Sequence, residues 1–489
     1  MKKSLIFSTI VLFCTCGHLM AAKPQSHHLY IISTNDMHAN IDMMPRLATL
    51  VEEYEAMGEV LLVDSGDRVT GNAYVDDDKC PGVPMIELMN VVGYDVVTLG
   101  NHEFDKGREV LKSMIQASDF DWVCSNVEVL RGMKPIKPYK IVCYKGAKIG
   151  YVGVVTTDMN GRPAGGESSY VDFAFTPDYE RAYEVCEVVD DRCDFVVLLS
   201  HMGLEVDEHL AKWDVECDWI AGGHSHSVIN DRVADVHISQ NRKDLRYVTI
   251  ADVEIYRGDV ERVTYTQVDL REVDADHYVA SLVDELKSRD PDLNIVETRA
   301  LAPATQDGVA NFTIEALATY PYDDGFVPEI SFYHFGGVRL SGIEKGDVKR
   351  VTILNNDPFV STIYLGEMSV EDMRKFILDK YNSGTASKPD KESHYPYFRS
   401  DVPYTIVLKE PSDSYSDAVD VLFPTLEEGR MYRVAMCNYV AENYIDKALV
   451  SRQLRKTTIT VREAMLRLAR SYGEEGYMPD NNIYQTENR

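Results

Sequence analysis

The sequence predicts an α/β protein of two domains, and three observations lead there. Short continuous apolar runs, such as Leu29-Tyr30-Ile31-Ile32, alternate with helix-like segments through the first half. Asp, His and Asn residues directly follow these runs. Near residue 270 the pattern changes, and a second block with its own strands and helices begins. At 489 residues the chain is too long for one ordinary domain.

Taken in order, Met1-Lys2-Lys3, an apolar run from Leu5 to Phe13 and Ala21-Ala22 before Lys23-Pro24 are the parts of a secretory signal, cut after Ala22. The run is shorter than the roughly 20 residues that cross a bilayer. Phe13-Cys14-Thr15-Cys16 is a poor lipoprotein box, so a periplasmic or extracellular protein is expected ahead of a lipid-anchored one. No later segment is apolar enough to span a membrane. Strands are predicted at Leu29–Thr34, Val60–Val63, Val96–Leu99, Ile149–Val155, Phe195–Leu199 and Trp219–Ala221, with helices at Arg108–Ala117 and Tyr179–Val189 between them. Apolar runs separated by helices indicate sheets buried on both faces. Ala275–Ser288 reads as an amphipathic helix ended by Asp290-Pro291-Asp292. The second block has strands at Glu329–Tyr333, Thr362–Leu365, Tyr404–Leu408 and Met431–Met436, and helices at Val370–Lys380 and Val461–Tyr472. Asn382–Ser393 reads as a polar loop, and the tail after Gly476 as loosely ordered. The expected division is a signal peptide at 1–22, a first domain at 23–272, a linker helix at 273–296 and a second domain at 297–489.

A formal net charge of -29 disfavours nucleic acid polymers and anionic lipid as partners. An acidic enzyme acting on an anionic substrate needs local positive charge, which bound metal ions would supply. The seven cysteines after residue 22 are scattered without CxxC spacing, which excludes a metal knuckle or a dense disulfide framework. Cys186 and Cys193 are a possible pair. The acidic run Asp76-Asp77-Asp78 reads as a solvated loop, with cation binding as the alternative.

The chemistry lies at the strand ends. Asp36-Met37-His38, Gly66-Asp67, Gly100-Asn101-His102-Glu103, His201 and Gly223-His224-Ser225-His226 each follow a predicted strand. In α/β folds ligands collect beyond the carboxyl ends of strands, so five such ends could meet in one place. Carboxylate and imidazole suit Zn²⁺, Mn²⁺ or Fe²⁺, and the absence of thiolate argues against a closed structural zinc site. Gly66, Gly100 and Gly223, each just before a candidate ligand, allow a sharp turn and a close approach.

This ordered set resembles the calcineurin-type metallophosphoesterases, and Asn101-His102-Glu103-Phe104-Asp105 is similar to the 5′-nucleotidase branch. The resemblance covers roughly residues 28–270. It implies a four-layer α/β/β/α metallophosphoesterase sandwich with a smaller α/β C-terminal substrate domain. It also implies two divalent metal ions, Zn²⁺ or Mn²⁺ with Fe²⁺ as a further option. Asp36, His38, Asp67 and His226 would hold one ion, and Asp67, Asn101, His201 and His224 the other. His102, oriented by Asp105, would act on the substrate while a water activated by the ions attacks phosphorus in line. Some relatives have Gln at the position of His226.

The second half resembles the 5′-nucleotidase C-terminal domain more weakly, through Phe335-Gly336-Gly337-Val338-Arg339, Gly346-Asp347-Val348 and Asn356-Asp357-Pro358-Phe359. The resemblance implies that Arg339 faces the substrate. The family's usual Asn is His334 here, and its Gly-rich run is replaced by Asn438-Tyr439-Val440-Ala441-Glu442-Asn443-Tyr444. Tyr439, with Tyr397 or Phe398, stands for the family's two base-stacking aromatics. The expected function is secreted 5′-nucleotidase-like hydrolysis of nucleotide monoesters. The alternatives are a 2′,3′-cyclic nucleotide phosphodiesterase, a nucleotide-sugar hydrolase, a dimetal enzyme cutting a sulfur ester or, more remotely, a non-catalytic surface binding protein.

Overall fold

The computed structural model describes residues 26–157, 161–165, 167–385, 398–412, 416–445 and 453–488. The signal segment, Tyr397 and most of the expected loop at 382–393 lie outside the described residues. Among the described residues the first half holds two six-stranded sheets. The first runs in the order Asp259–Asp269, Tyr247–Tyr256, His27–Thr34, Glu59–Asp64, Tyr94–Val97, Asp121–Trp122. The second runs Val228–Val233, Val236–Asn241, Trp219–Gly222, Phe195–His201, Ala147–Val155, Tyr139–Tyr144.

Alternation along each strand builds the layers. Leu29 and Ile31 enter a core shared by both sheets with Val197, Leu199 and Trp219, because successive side chains on a strand point to opposite faces. Tyr30 and Ile32 point the other way, into a core with Leu47, Met85, Leu111 and Val283. These come from the helices Met44–Glu55, Val83–Val92, Arg108–Ala117 and His277–Ser288. On the far side, Val196 and Leu198 pack with Val185, Val189 and Leu210 of the helices Asp178–Asp190 and Leu204–Lys212. The result is the four-layer α/β/β/α sandwich. Burying both faces of each sheet explains why the strands read as unbroken apolar runs. The helix His277–Ser288, capped by Asp276 accepting from the Val279 amide at 2.7 Å, packs into the first core.

In the second half a five-stranded sheet runs Phe398–Ser400, Ile330–His334, Met431–Cys437, Thr362–Ser369, Leu454–Thr460. The helices Gln306–Thr319, Val370–Thr385 and Val461–Tyr472 share its core. Links between the halves include Arg462 Nη1 to Asp77 Oδ2 at 2.6 Å, the Ala73 amide to Asn355 Oδ1 at 2.8 Å, and Tyr74 to Asn294 at 2.8 Å.

Several expectations need correcting. The helix predicted to stop at Lys380 continues to Thr385. The tail after Gly476 is structured: Gln485–Glu487 adds a parallel strand beside Tyr404–Leu408, and Asn481 accepts the Thr305 amide at 2.8 Å. Asp76 and Asp77 are not a solvated loop. Asp76 is buried and accepts the amides of Thr70, Gly71 and Asn72, while Asp77 pairs with Arg462. Cys186 and Cys193 are both free thiols. The long hairpin Tyr247–Tyr256 and Asp259–Asp269 was not anticipated; it turns through Arg257 and Gly258, both at positive φ.

Two buried charges give measurable consequences. Arg68 is fully buried, donates to Asp64 Oδ1 at 2.8 and 3.0 Å, lies 3.8 Å from Glu103 and stacks 4.4 Å above Trp122. Arg68→Met would strand the Asp64 and Glu103 carboxylates, so a loss of about 3–5 kcal/mol is expected in urea unfolding. Burial pushes the Asp207 carboxyl up to about 8, against the pull of the Ser200 hydroxyl that donates to it. An unfolded Asp ionises near pH 4, so between about pH 4 and 8 the unfolded chain releases a proton that the folded chain keeps. The stability from this group is therefore fully present below about pH 4 and is lost as pH rises toward 8. Asp207→Asn should flatten that fall by up to about 1.4 kcal/mol per pH unit, read from urea midpoints across the range.

Candidate metal centre

The loops that follow the parallel strands of both sheets meet at one end of the sandwich. The Ser65 hydroxyl donates to the Ala221 carbonyl at 2.6 Å, and the Asp36 amide donates to the Gly66 carbonyl at 2.9 Å. Asp36, His38 and His226 offer ligand atoms within 4.8 Å of one another, and so do Asp67, His201 and His224. His38 and His226 bring their Nε2 atoms to 3.0 Å, and His226 Nε2 lies 3.4 Å from Asp36 Oδ1. Asn101 Oδ1 sits 2.9 Å from His224 Nδ1 and 3.2 Å from His201 Nε2, which is itself 3.1 Å from Asp67 Oδ2. Asp67 also belongs to a third cluster with His38 and His102, which places it between the first two.

The backbone is bent to achieve this. Asp36, His38, Asp67, His224 and His226 have φ of 48°, 45°, 57°, 76° and 55°. Each left-handed non-glycine residue costs on the order of 1–3 kcal/mol, a strain found where function requires it. Glu103 holds the bend, accepting the amides of Asp67 at 3.0 Å, Arg68 at 3.0 Å and Gly100 at 2.6 Å. Gly100 is required for closeness, since a Cβ there would lie 2.2 Å from Asp67 Oδ1. The motif containing Glu103 was legible in the sequence, but its buttressing task was not, because the hydrogen bonds run to distant amides.

The donor set fits a cation. His201 Nδ1 lies 2.7 Å from the Ser65 carbonyl and donates its hydrogen there. The Nε2 lone pair of a neutral His201 then faces the oxygens of Asp67 and Asn101. Electron pairs converging in this way need a positive charge between them. The same pull acts on protons: burial alone would push the His201 imidazole down, but the Asp67 carboxylate reverses this and holds it at about 10. Burial and the Arg339 guanidinium instead hold His38 well below the usual imidazole range. A neutral imidazole is the form that binds metal.

His102 stands beside the cluster. Its Nδ1 pairs with Asp105 Oδ2 at 2.8 Å, and its Nε2 is 3.8 Å from Asp67. Thr70 Oγ1 also donates to Asp105 Oδ2, at 2.9 Å. Burial lowers the His102 imidazole, but Asp67 and Asp105 outweigh it and raise the group above its ordinary value. From the second half, Arg339 Nη2 reaches His38 at 3.1 and 3.2 Å. Phe359 was not singled out from the sequence, yet its ring lies 5.6 Å from that of His102, with the Arg339 guanidinium 5.7 Å over it. Its place in Asn356-Asp357-Pro358-Phe359 was the available signal. The other substrate candidates belong to the second half. His334 is buried with its ring 4.4 Å from Tyr439, and burial holds its imidazole down at about 3. Phe398 is 1% exposed in the second core, between Phe376 and Tyr444. Both neighbours meet the Phe398 ring edge-on, at 5.2 and 5.6 Å between centroids.

Among the described residues no helix is long and apolar enough to cross a membrane. The family model described as calcineurin-like phosphoesterase matches residues 29–228, and that described as 5′-nucleotidase, C-terminal domain matches residues 292–446. The chain is 22% identical to the trifunctional nucleotide phosphoesterase protein YfkN of Bacillus subtilis over 88% of its own length, but spans only 34% of that protein. It is 24% identical to protein UshA of Yersinia enterocolitica, covering 86% of each. The 5′-nucleotidase precursor structure from Thermus thermophilus superposes with a TM-score of 0.79 at 20% identity, over 94% of this chain and 100% of that one. Matched in both halves, the chain belongs to the calcineurin-like phosphoesterases that carry a 5′-nucleotidase C-terminal domain.

Proposed function

We propose that the chain hydrolyses phosphate monoesters of nucleotides with two divalent cations. The observation that carries this reading is the placing of Arg339 and Phe359 from the second half directly on the His38–His102 face of the cluster. Asp36, His38, Asp67 and His226 would hold one cation, and Asp67, Asn101, His201 and His224 the other, with Asp67 shared. When bound, such cations polarise phosphoryl oxygens and lower the pKa of water at neutral pH. The protein's own residues supply the rest. Arg339 offers a guanidinium fork to the phosphoryl oxygens. His102, whose imidazole Asp67 and Asp105 raise above its ordinary value, presents Nε2 to the leaving oxygen as a proton donor. Asp105 fixes the ring through Nδ1, and Thr70 fixes Asp105. Phe359 gives an aromatic face beside the leaving group, suited to a planar base. The names of the Bacillus and Thermus relatives agree with a nucleotide substrate. The basic and apolar start of the sequence supports export to the periplasm or cell exterior, where this activity would act.

A hydrolysis panel tests the reading. With added Mn²⁺ or Zn²⁺, AMP should be turned over faster than 2′,3′-cyclic AMP, a nucleotide sugar or an aryl phosphate. Asp67→Asn should lower AMP turnover at least about a hundredfold. Turnover of aryl phosphate without nucleotide would retain the metal centre and remove the nucleotide assignment.

A further inference from the structure

The outer face of the second sheet changes character at its carboxyl end. Side chains two apart on a strand share a face. Ile220 and Ile238 lie on that face and pack into the core made with the helices Asp178–Asp190 and Leu204–Lys212. Two residues further on, the same face carries Gly222 and Gln240. Trp219–Gly222 and Val236–Asn241 are parallel neighbours, and a Cβ on Gly222 would lie 3.4 Å from Gln240 Nε2. Gln240 therefore sits where the chain leaves the sheet for Gly223–Ser227.

Gln240 is fully buried. A buried amide is tolerated where its hydrogen bonds are made, and those of this side chain run to one loop. Nε2 donates to the Gly223 carbonyl at 2.8 Å. Oε1 accepts the Ser225 hydroxyl at 2.9 Å and the Ser227 amide at 2.5 Å. The orientation is forced, since a carbonyl only accepts and an amide N–H only donates. Ser225 Oγ in turn accepts the Leu204 amide at 3.0 Å, which ties the loop to the helix that follows His201.

The gripped residues alternate with two imidazoles. His224 and His226 have φ of 76° and 55°, and each is flanked by residues that Gln240 holds. Left-handed backbone at non-glycine residues persists where the surroundings over-determine it. The two rings enter different clusters. His224 Nδ1 lies 2.9 Å from Asn101 Oδ1, and His226 Nε2 lies 3.0 Å from His38 Nε2. Glu103 grips the Asp67 loop by its amides, and Gln240 grips the loop of His224 and His226 by a carbonyl, a hydroxyl and an amide.

Resting on the two-cation reading above, we propose that Gln240 is a positioning residue for the metal centre. It acts through the loop, fixing the separation of His224 and His226. Because these are one donor from each candidate site, Gln240 sets the affinity for both ions together.

The test titrates Co²⁺, a visible-absorbing probe for an imidazole and carboxylate site, into the metal-free wild-type chain and three variants. Stoichiometry, absorption at saturation and urea midpoints are read. Gln240→Met keeps the length and packing of the side chain but makes none of the three bonds. Ser225→Ala removes one of them, and Ile238→Val loosens the same face without touching the loop. Two ions are expected in the wild type. Gln240→Met should weaken both by about 10–100-fold and alter the absorption bands. Ser225→Ala should weaken them by about fivefold, and the double variant by less than the product of the two. Ile238→Val should lower the urea midpoint and titrate as the wild type does. A Gln240→Met chain that titrates like the wild type or weakens one ion alone would overturn the proposal, as would an equal loss in Ile238→Val. If Gln240→Met does not fold, an unchanged titration in Ser225→Ala overturns it. A wild-type chain that takes a single ion overturns the two-cation reading and this proposal with it. Two ions bound equally well by wild type and Gln240→Met overturn this proposal alone.

Discussion

Imidazole nitrogens and carboxylate oxygens at the strand ends face one another at 3.0–3.4 Å, and the rest of the first half is arranged to keep them there. Without positive charge between them these groups repel, and burial removes the water that would otherwise relieve the repulsion. The raised His201 imidazole and the lowered Asp67 carboxyl are two readings of one field, set by their mutual attraction. The cost of holding the cluster is visible as left-handed backbone at five of the candidate ligands. It is offset by a buried scaffold in which Glu103 gathers three amides and Arg68 joins Asp64 to Glu103. The sandwich cores on both sides of that scaffold are dense and apolar, which makes such strain affordable.

The second half contributes by contact with this centre. Arg339 meets His38 and Phe359 meets His102, so the two groups that approach the cluster from outside come from one domain. Their placement is fixed away from the site. Arg462 donates to the Asp357 carbonyl at 2.7 Å, two residues before Phe359, and pairs with Asp77 of the first half. Asp76, next to Asp77, gathers the amides of the Thr70–Asn72 loop, and Thr70 holds Asp105. A continuous set of polar contacts thus links the domain interface to His102.

Much of this was legible in the sequence because it depends on local chemistry repeated in order. Apolar runs marked the strands, and Asp, His and Asn at their ends marked the candidate ligands, since parallel strands deliver their carboxyl ends to one place. What escaped depends on distance. Nothing near Glu103 or Arg68 in the sequence says which amides and carboxylates they will meet. Asp76 looked solvated because a run of three acids ordinarily is, and only the fold brings three amides to it.

The most direct measurement is anomalous X-ray diffraction from crystals of the chain grown with Mn²⁺. The account predicts two peaks at the strand ends, one among Asp36, His38 and His226 and one among Asn101, His201 and His224, with Asp67 between them. A single peak, or peaks away from these residues, would contradict it.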